Sequence, residues 1–338
     1  ITNLADVFNT RIVFALSALL SAFANAMLPF VAGEFSIALA LRFFTGVFLA
    51  GVYPPGMKIM AGWFKKRRGL AIGVLVGALT IGSALPHLVG SILREQWELT
   101  IFVSSILACL AAFIVLFFVK DGPYNVPAQA FNYKYALTIF KDRPTRLAYL
   151  GYFGHMWELY AMWTWVPIFL LNSDAFNATV RGFSVGFWAF VVIAIGAIGC
   201  IVYGFWADKI GRSISTITAM GISGLCCFVV GFLPTVTPSW LLLGCLIWGL
   251  TVVADSAQFS AAASELCDPQ YMGTILTLQT SIGFLFTMIS IRLVPIFQEI
   301  AGWGLAFSIL GIGPIAGIIA MSRLLKLPEA IKMANGNR

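Results

Sequence analysis

The chain has 338 residues, of which 60% are hydrophobic and 10% charged. Soluble domains carry about 25% charged residues, so one water-soluble core cannot hold this much apolar surface. The net charge of +7 would suit nucleic acid if the basic residues formed a patch, but they gather in loops between apolar runs.

A short polar segment, Asn3 to Arg11, opens the chain. Ten apolar runs follow, near 12–32, 36–63, 69–93, 99–119, 147–171, 182–205, 213–234, 238–262, 272–295 and 303–324. A membrane helix needs roughly 20 such residues. The runs lack the period-2 alternation of barrel strands, so the spans are predicted helical, a form that satisfies its own backbone in lipid. Between the fourth and fifth runs lies the longest polar segment, 120–146, with Pro123, Pro127 and Pro144. It reads as a connector between a four-span unit (1–119) and a six-span unit (147–326), with 327–338 as a tail. Ala130 to Phe140 could form a surface helix within it. The other loops are short, and none has room for a soluble catalytic domain.

If alternate loops share a side, most Lys and Arg fall on one side, from Arg11 through Lys65, Lys66, Arg67 and Arg68 to Arg338. The positive-inside rule makes that side cytoplasmic. Both ends of the chain are then cytoplasmic, in a multi-pass cell membrane protein, with a bacterial plasma membrane as the expected setting. The basic charge sets topology, and no nucleic-acid partner is expected. The cysteines show no CxxC spacing and no outer-loop pair, so neither metal nor disulfide is predicted. No cofactor is expected either. Asn177-Ala178-Thr179 matches the glycosylation sequon, a weak signal alone.

Two loops repeat one another. Asn3-Leu4-Ala5-Asp6-Val7-Phe8-Asn9-Thr10-Arg11 corresponds to Gly204-Phe205-Trp206-Ala207-Asp208-Lys209-Ile210-Gly211-Arg212. Both place Ala-Asp before a turn residue and a basic residue. Asn tolerates the left-handed conformation better than most residues, so Asn9 is expected to take the turn that Gly211 takes downstream.

Ionisable residues inside spans are expensive and are read first as functional. Arg42 lies in the outer third of its span. Glu158 lies about 18 Å along its helix from Arg146, at roughly 1.5 Å per residue, near the bilayer midplane. His155 is one turn away, among Trp157, Tyr160, Trp163 and Trp165. Low dielectric disfavours a charged carboxylate, which suits a proton carrier, and histidine titrates in the useful range. The alternative is a fixed polar tie between helices. Asp255 and Gln258 share a helix face. Arg292 and His87 lie near outer ends, where they could snorkel. Glu265 and Asp268 are expected in a solvated loop. Span 69–93 is rich in glycine, and Gly73, Gly77 and Gly82, with Pro86, are expected to serve close helix packing.

The repeated loops, together with Arg42-Phe43-Phe44-Thr45-Gly46 and the basic run before Gly69-Leu70-Ala71-Ile72-Gly73, resemble the major facilitator superfamily of secondary transporters. The resemblance implies a twelve-helix, two-bundle fold. It places the opening loop after the family's second helix, so two further helices are expected ahead of this chain. It also implies that Asp6, Arg11, Asp208, Lys209, Gly211 and Arg212 form cytoplasmic gate loops holding the two bundles together. Arg42, Tyr53, His155, Glu158, Trp163, Asp255, Gln258 and Arg292 become candidates for the substrate and proton pathway.

The function expected is secondary transport of a small organic solute, with Arg42 and Arg292 tilting the choice toward an anion, coupled to protons by alternating access in a monomer. A multidrug exporter of the same fold is the alternative, although Gly82-Ser83-Ala84-Leu85-Pro86-His87 matches the family's exporter pattern imperfectly. A non-transporting sensor is a further alternative. An enzyme is not expected, because His87 and His155 form no cluster with other reactive groups.

Overall fold

A computed structural model describes residues 8–64, 67–93, 96–124, 141–173, 176–177, 184–235, 237–268 and 271–337. Among them the structure is almost wholly helical, as the apolar runs require. The helices are α1 (Thr10–Ala26), α2 (Phe35–Leu49), α3 (Tyr53–Trp63), α4 (Arg68–Ile92), α5 (Trp97–Phe118), α6 (Arg143–Leu171), α7 (Val185–Ala194), α8 (Gly196–Ile210), α9 (Arg212–Val229), α10 (Pro238–Val252), α11 (Ser256–Leu266), α12 (Met272–Ser308) and α13 (Ile312–Leu325). The predicted surface helix at Ala130–Phe140 lies outside the described residues, as do Ala178 and Thr179 of the sequon.

Eight stretches among the described residues are long and apolar enough to cross a membrane. The last, Met272–Leu325, covers 54 residues, and it is broken at Ala301 and Gly302, where Gly302 has φ +75°. Only glycine adopts that region freely, so this stretch makes two passes. With 29 residues, α6 adds another: about 43 Å at roughly 1.5 Å per residue. Together they account for the ten predicted spans.

Several spans are discontinuous, which the apolar pattern did not show. The run at 36–63 divides into α2 and α3 around Gly51 and Val52. Pro54 and Pro55 lie in the first turn of α3. They supply no N–H, and their rings clash with carbonyls one turn earlier, so the helix must restart there. The run at 238–262 breaks at Val253–Asp255, between α10 and α11.

The largest core joins α6 through α13, with Tyr152, Met156, Phe169, Trp248, Phe259 and Phe307 fully or almost fully buried. By contrast, no residue of α2 is buried, and α5 buries only Ser105 and Ala112. Apolar surface of this kind is at rest in lipid and would not be in water. The two groups of helices meet mainly along α4, which packs on α7, α8 and α11, while α3 meets α12. The α4–α8 contact is close because of glycine. A Cβ at Gly73 would lie 2.6 Å from the Cys200 carbonyl oxygen, and one at Gly77 would lie 3.2 Å from that of Ala197. Gly204 answers from α8, 2.9 Å from the Gly69 carbonyl by the same measure. Gly82 does not take part: a Cβ there meets no atom within 4 Å. It and Pro86 lie on the exposed face of α4, so their expected packing role is corrected.

Candidate functional site: a polar contact between helix groups and a buried polar set

The loop between α8 and α9 is a tight turn. Gly211 has φ +96°, a conformation that favours glycine, and it brings Asp208 and Arg212 together. Arg212 Nη1 lies 2.7 Å from Asp208 Oδ1. The same nitrogen donates to Gln258 Oε1 at 3.0 Å. Its other nitrogens fork onto Glu265, Nη2 to Oε1 at 2.9 Å and Nε to Oε2 at 3.3 Å. Arg212 is 1% exposed. A buried guanidinium persists only when paired and hydrogen-bonded, and this one binds two carboxylates and an amide.

Asp208 reaches further. Its Oδ1 accepts the N–H of Gly69 at 3.2 Å, and its Oδ2 accepts that of Leu70 at 3.1 Å. These are first-turn donors of α4, whose N-cap Arg67 has φ +59° and gives no side-chain cap. The helix therefore receives its cap from a distant carboxylate, which also complements the positive dipole end. Gly69 is required at this contact, because a Cβ there would collide with the Arg212 guanidinium and Asp208.

The described part of the upstream copy, Phe8 to Arg11, makes different contacts from Gly211 and Arg212. Asn9 is not left-handed. It has φ −56° and ψ 120°, and its side chain caps α1 by accepting from the N–H groups of Arg11 and Ile12. Capping satisfies helix donors that a left-handed turn would leave free, which corrects the expectation. Arg11 Nη1 donates to the Val119 carbonyl at 2.8 Å, and its Nε lies 3.5 Å from Asp121. These contacts tie α1 to the end of α5 and do not cross between the helix groups. Asp6 lies outside the described residues. Lys209 is also displaced from the expected gate contact: its ammonium sits 4.2 Å above the Phe205 ring of its own helix.

A second polar set lies deeper. His155 and Asp255 are 1% and 2% exposed, with Nδ1 2.8 Å from Oδ1. The pair is within ion-pair distance, although Asp255 Oδ1 and His155 Nε2 have no hydrogen-bond partner among the described residues. Asp255 stands at the helix break as the N-cap of α11. Glu158, also 1% exposed, faces another way from α6. Its carboxylate accepts from Trp248 Nε1 at 2.6 Å, Ser223 Oγ at 3.0 Å and Cys227 Sγ at 3.2 Å. Gln258, one turn along α11 from Asp255, is fully buried and accepts from Arg212. One face of α11 thus carries Asp255, Gln258 and Glu265 in series, from the buried pair to Arg212.

The remaining predicted residues stand apart. Arg42 is exposed on α2 and donates to Asn25 Oδ1 at 3.0 Å. Asn25 in turn donates to Ser104 and Ser105 at 3.1 and 3.0 Å. Arg292 is exposed on α12. Tyr53 is half-buried at the start of α3. Trp163 is 7% exposed, with its ring 5.3 Å from Tyr160.

Sequence reasoning missed Glu265, placing it in a solvated loop. It lies in the last turn of α11, ten residues after Asp255 and seven after Gln258, a spacing that could have set it on their face. Ser223, Cys227 and Trp248 carried no signal, being ordinary residues of apolar spans.

These features define a multi-pass membrane protein in which two helix groups meet at a polar contact, with ionisable groups buried inside one of them. Compared with known families, residues 1–291 match the Major Facilitator Superfamily. The chain belongs to that superfamily of secondary transporters. The MFS-type transporter pytF of Aspergillus terreus is 26% identical over 219 residues, covering 61% of this chain and 69% of that protein. The glycerol-3-phosphate transporter of Bacillus subtilis is 24% identical over 237 residues, covering 62% of this chain and 52% of that protein. The chain thus spans between half and about two thirds of the length of these relatives.

Solved structures share the fold at low identity. The human organic anion transporter MFSD10 superposes with a TM-score of 0.72 at 17% identity, covering 95% of this chain and 79% of that one. The Escherichia coli fucose:proton symporter gives 0.71 at 12% identity, covering 96% and 86%.

Proposed function

We propose that the protein is a proton-coupled secondary transporter of a small organic anion, working by alternating access in a cell membrane with its gate on the cytoplasmic side. The observation that carries the coupling is the burial of His155, Asp255 and Glu158, each at most 2% exposed, inside an apolar bundle. Ionisable groups at membrane depth are costly and mark ion or proton pathways by default. His155 and Asp255 can share or exchange one proton. Glu158 has three donors and can hold a proton or release it as those donors shift.

The anion preference is supported by Arg42, an exposed guanidinium on α2 held through Asn25. That bond uses one of its five donors, leaving a fork suited to carboxylate or phosphate. The names of matched proteins point the same way, toward glycerol-3-phosphate, organic anions and proton symport. Breaking and remaking the contact between Asp208 and α4 would let the helix groups rock about a central site.

The test is transport by the full-length protein in liposomes, with and without an imposed proton gradient, across a panel of carboxylates, phosphate esters, neutral sugars and cationic drugs. Anion flux that rises with the gradient is expected. Flux of none of these solutes would sink the reading. Flux of cationic drugs alone would favour the exporter, which the Tyr160–Trp163–Phe284 aromatic group would suit.

A further inference from the structure

We propose that the chain after α13 is a strap that positions the gate carboxylates, so that the cytoplasmic closure depends on it. This rests on reading Asp208 and Arg212 as a gate. Residues Pro328–Gly336 follow α13 as a short irregular helical turn. Ala330, Met333 and Ala334 are at most 1% exposed, and the segment packs on α11 and α8. The chain then reverses through three residues with positive φ, Ala334 at +49°, Asn335 at +57° and Gly336 at +94°. Two of these are not glycine, and such a conformation persists only where surrounding contacts fix it.

The reversal delivers two hydrogen bonds. The N–H of Ala334 donates to Glu265 Oε2 at 2.9 Å. The side-chain amide of Asn337 donates to the backbone carbonyl of Asp208 at 2.9 Å. The strap thus touches both acids that hold Arg212. The first bond orients the Glu265 carboxylate for its fork onto Arg212. The second binds an orphan carbonyl in the last turn of α8 and holds the residue whose side chain caps α4. The strap itself stays with α8 and α11. It acts by preorganising Asp208, Arg212 and Glu265, which then meet Gly69 and Leu70.

Hydrogen–deuterium exchange of the full-length protein in detergent or nanodiscs tests this without any substrate, so its outcome is independent of the transported solute. The readout is the peptide carrying the Gly69 and Leu70 amides. Met333→Asp places a charge in a buried seat and should release the strap. Asn337→Ala removes one bond with little effect on packing. Exchange at Gly69 and Leu70 should rise about tenfold in the first and a few-fold in the second, the range expected when one or two bonds of a local opening are lost. Ile331→Asp, at a site 58% exposed, should change nothing. Unchanged exchange at Gly69 and Leu70 in Asn337→Ala and in a folded Met333→Asp, with protection lost only within 328–337, would overturn the proposal. If Met333→Asp does not fold, Asn337→Ala alone decides.

Discussion

Asp208 accepts the backbone N–H of Gly69 at 3.2 Å, across 139 positions of sequence. One carboxylate therefore caps a helix in the other helix group while remaining paired with Arg212 in its own. Replacing Asp208 by Ala removes two cap bonds and one partner of a buried guanidinium. A cap contributes about 1 kcal/mol, and a bond to a charged group about 1.5–3 kcal/mol. Asp208→Ala should lower the unfolding free energy by roughly 2.5–4 kcal/mol, read from denaturant unfolding in detergent, and should slow transport. Asp208→Asn should cost less, because the amide oxygen still accepts one N–H.

Arg212 should not be replaceable by Lys. The guanidinium makes a fork onto Glu265 and single contacts to Asp208 and Gln258, and a lysine ammonium is a point donor without that geometry. Arg212→Lys is expected to fold but to lose at least tenfold in transport rate. Arg212→Ala should lower stability by about 3–5 kcal/mol, since it leaves two largely buried carboxylates without a cation. Wild-type rates for Arg212→Lys would refute a need for the fork.

The glycines of α4 should divide into two classes. Gly73→Ala drives a methyl into the Cys200 carbonyl, backbone that cannot swing aside. It should spread α4 from α8 and cost about 1–3 kcal/mol, the usual cost of overpacking. Gly82→Ala meets open space and should be neutral or stabilise by up to about 1 kcal/mol, because alanine loses less entropy in a helix. Thermal unfolding of the two variants side by side gives the comparison.

Glu158→Gln keeps one acceptor oxygen for Trp248 and Cys227, which share Oε1, turns an amide donor toward Ser223, whose hydroxyl can accept it, and removes the titrating group. The variant should fold normally and bind substrate. Gradient-driven uptake should fall at least tenfold, while exchange of substrate across the membrane persists. Equal loss of both activities in a folded protein would remove Glu158 from the coupling reaction.

Much of this architecture is legible in the sequence because lipid imposes a strong rule. Every backbone polar group must be satisfied within a span, so runs of apolar residues become helices, and the described structure follows the predicted runs closely. Burial is legible in part: residue spacing along α6 put His155 and Glu158 well within a span, and both are 1% exposed. What those side chains touch is not legible. The two stand one turn apart, yet His155 meets Asp255 and Glu158 meets Ser223, Cys227 and Trp248. Partner choice there depends on the rotation of α6 against three other helices, which hydropathy does not encode.

The repeated loops mark the boundary between the two kinds of information. By itself, the sequence determined a multi-pass helical protein, its resemblance to a transporter family, and a tight turn at Gly211 between Asp208 and Arg212. It determined these because apolar run length, loop charge and the need for glycine at a positive φ are local properties. Only the tertiary structure decided what Asn9 and Arg11 touch, and what Asp208 and Arg212 touch. Asn9 caps its own helix and Arg11 binds Asp121, while Asp208 crosses to Gly69 and Arg212 recruits Gln258 and Glu265. The contacts of Asp208 and Arg212 join residues 46 to 139 positions apart, and the one to Gly69 exists because Gly69, Gly73 and Gly204 let α4 and α8 approach until a carboxylate can reach a helix end.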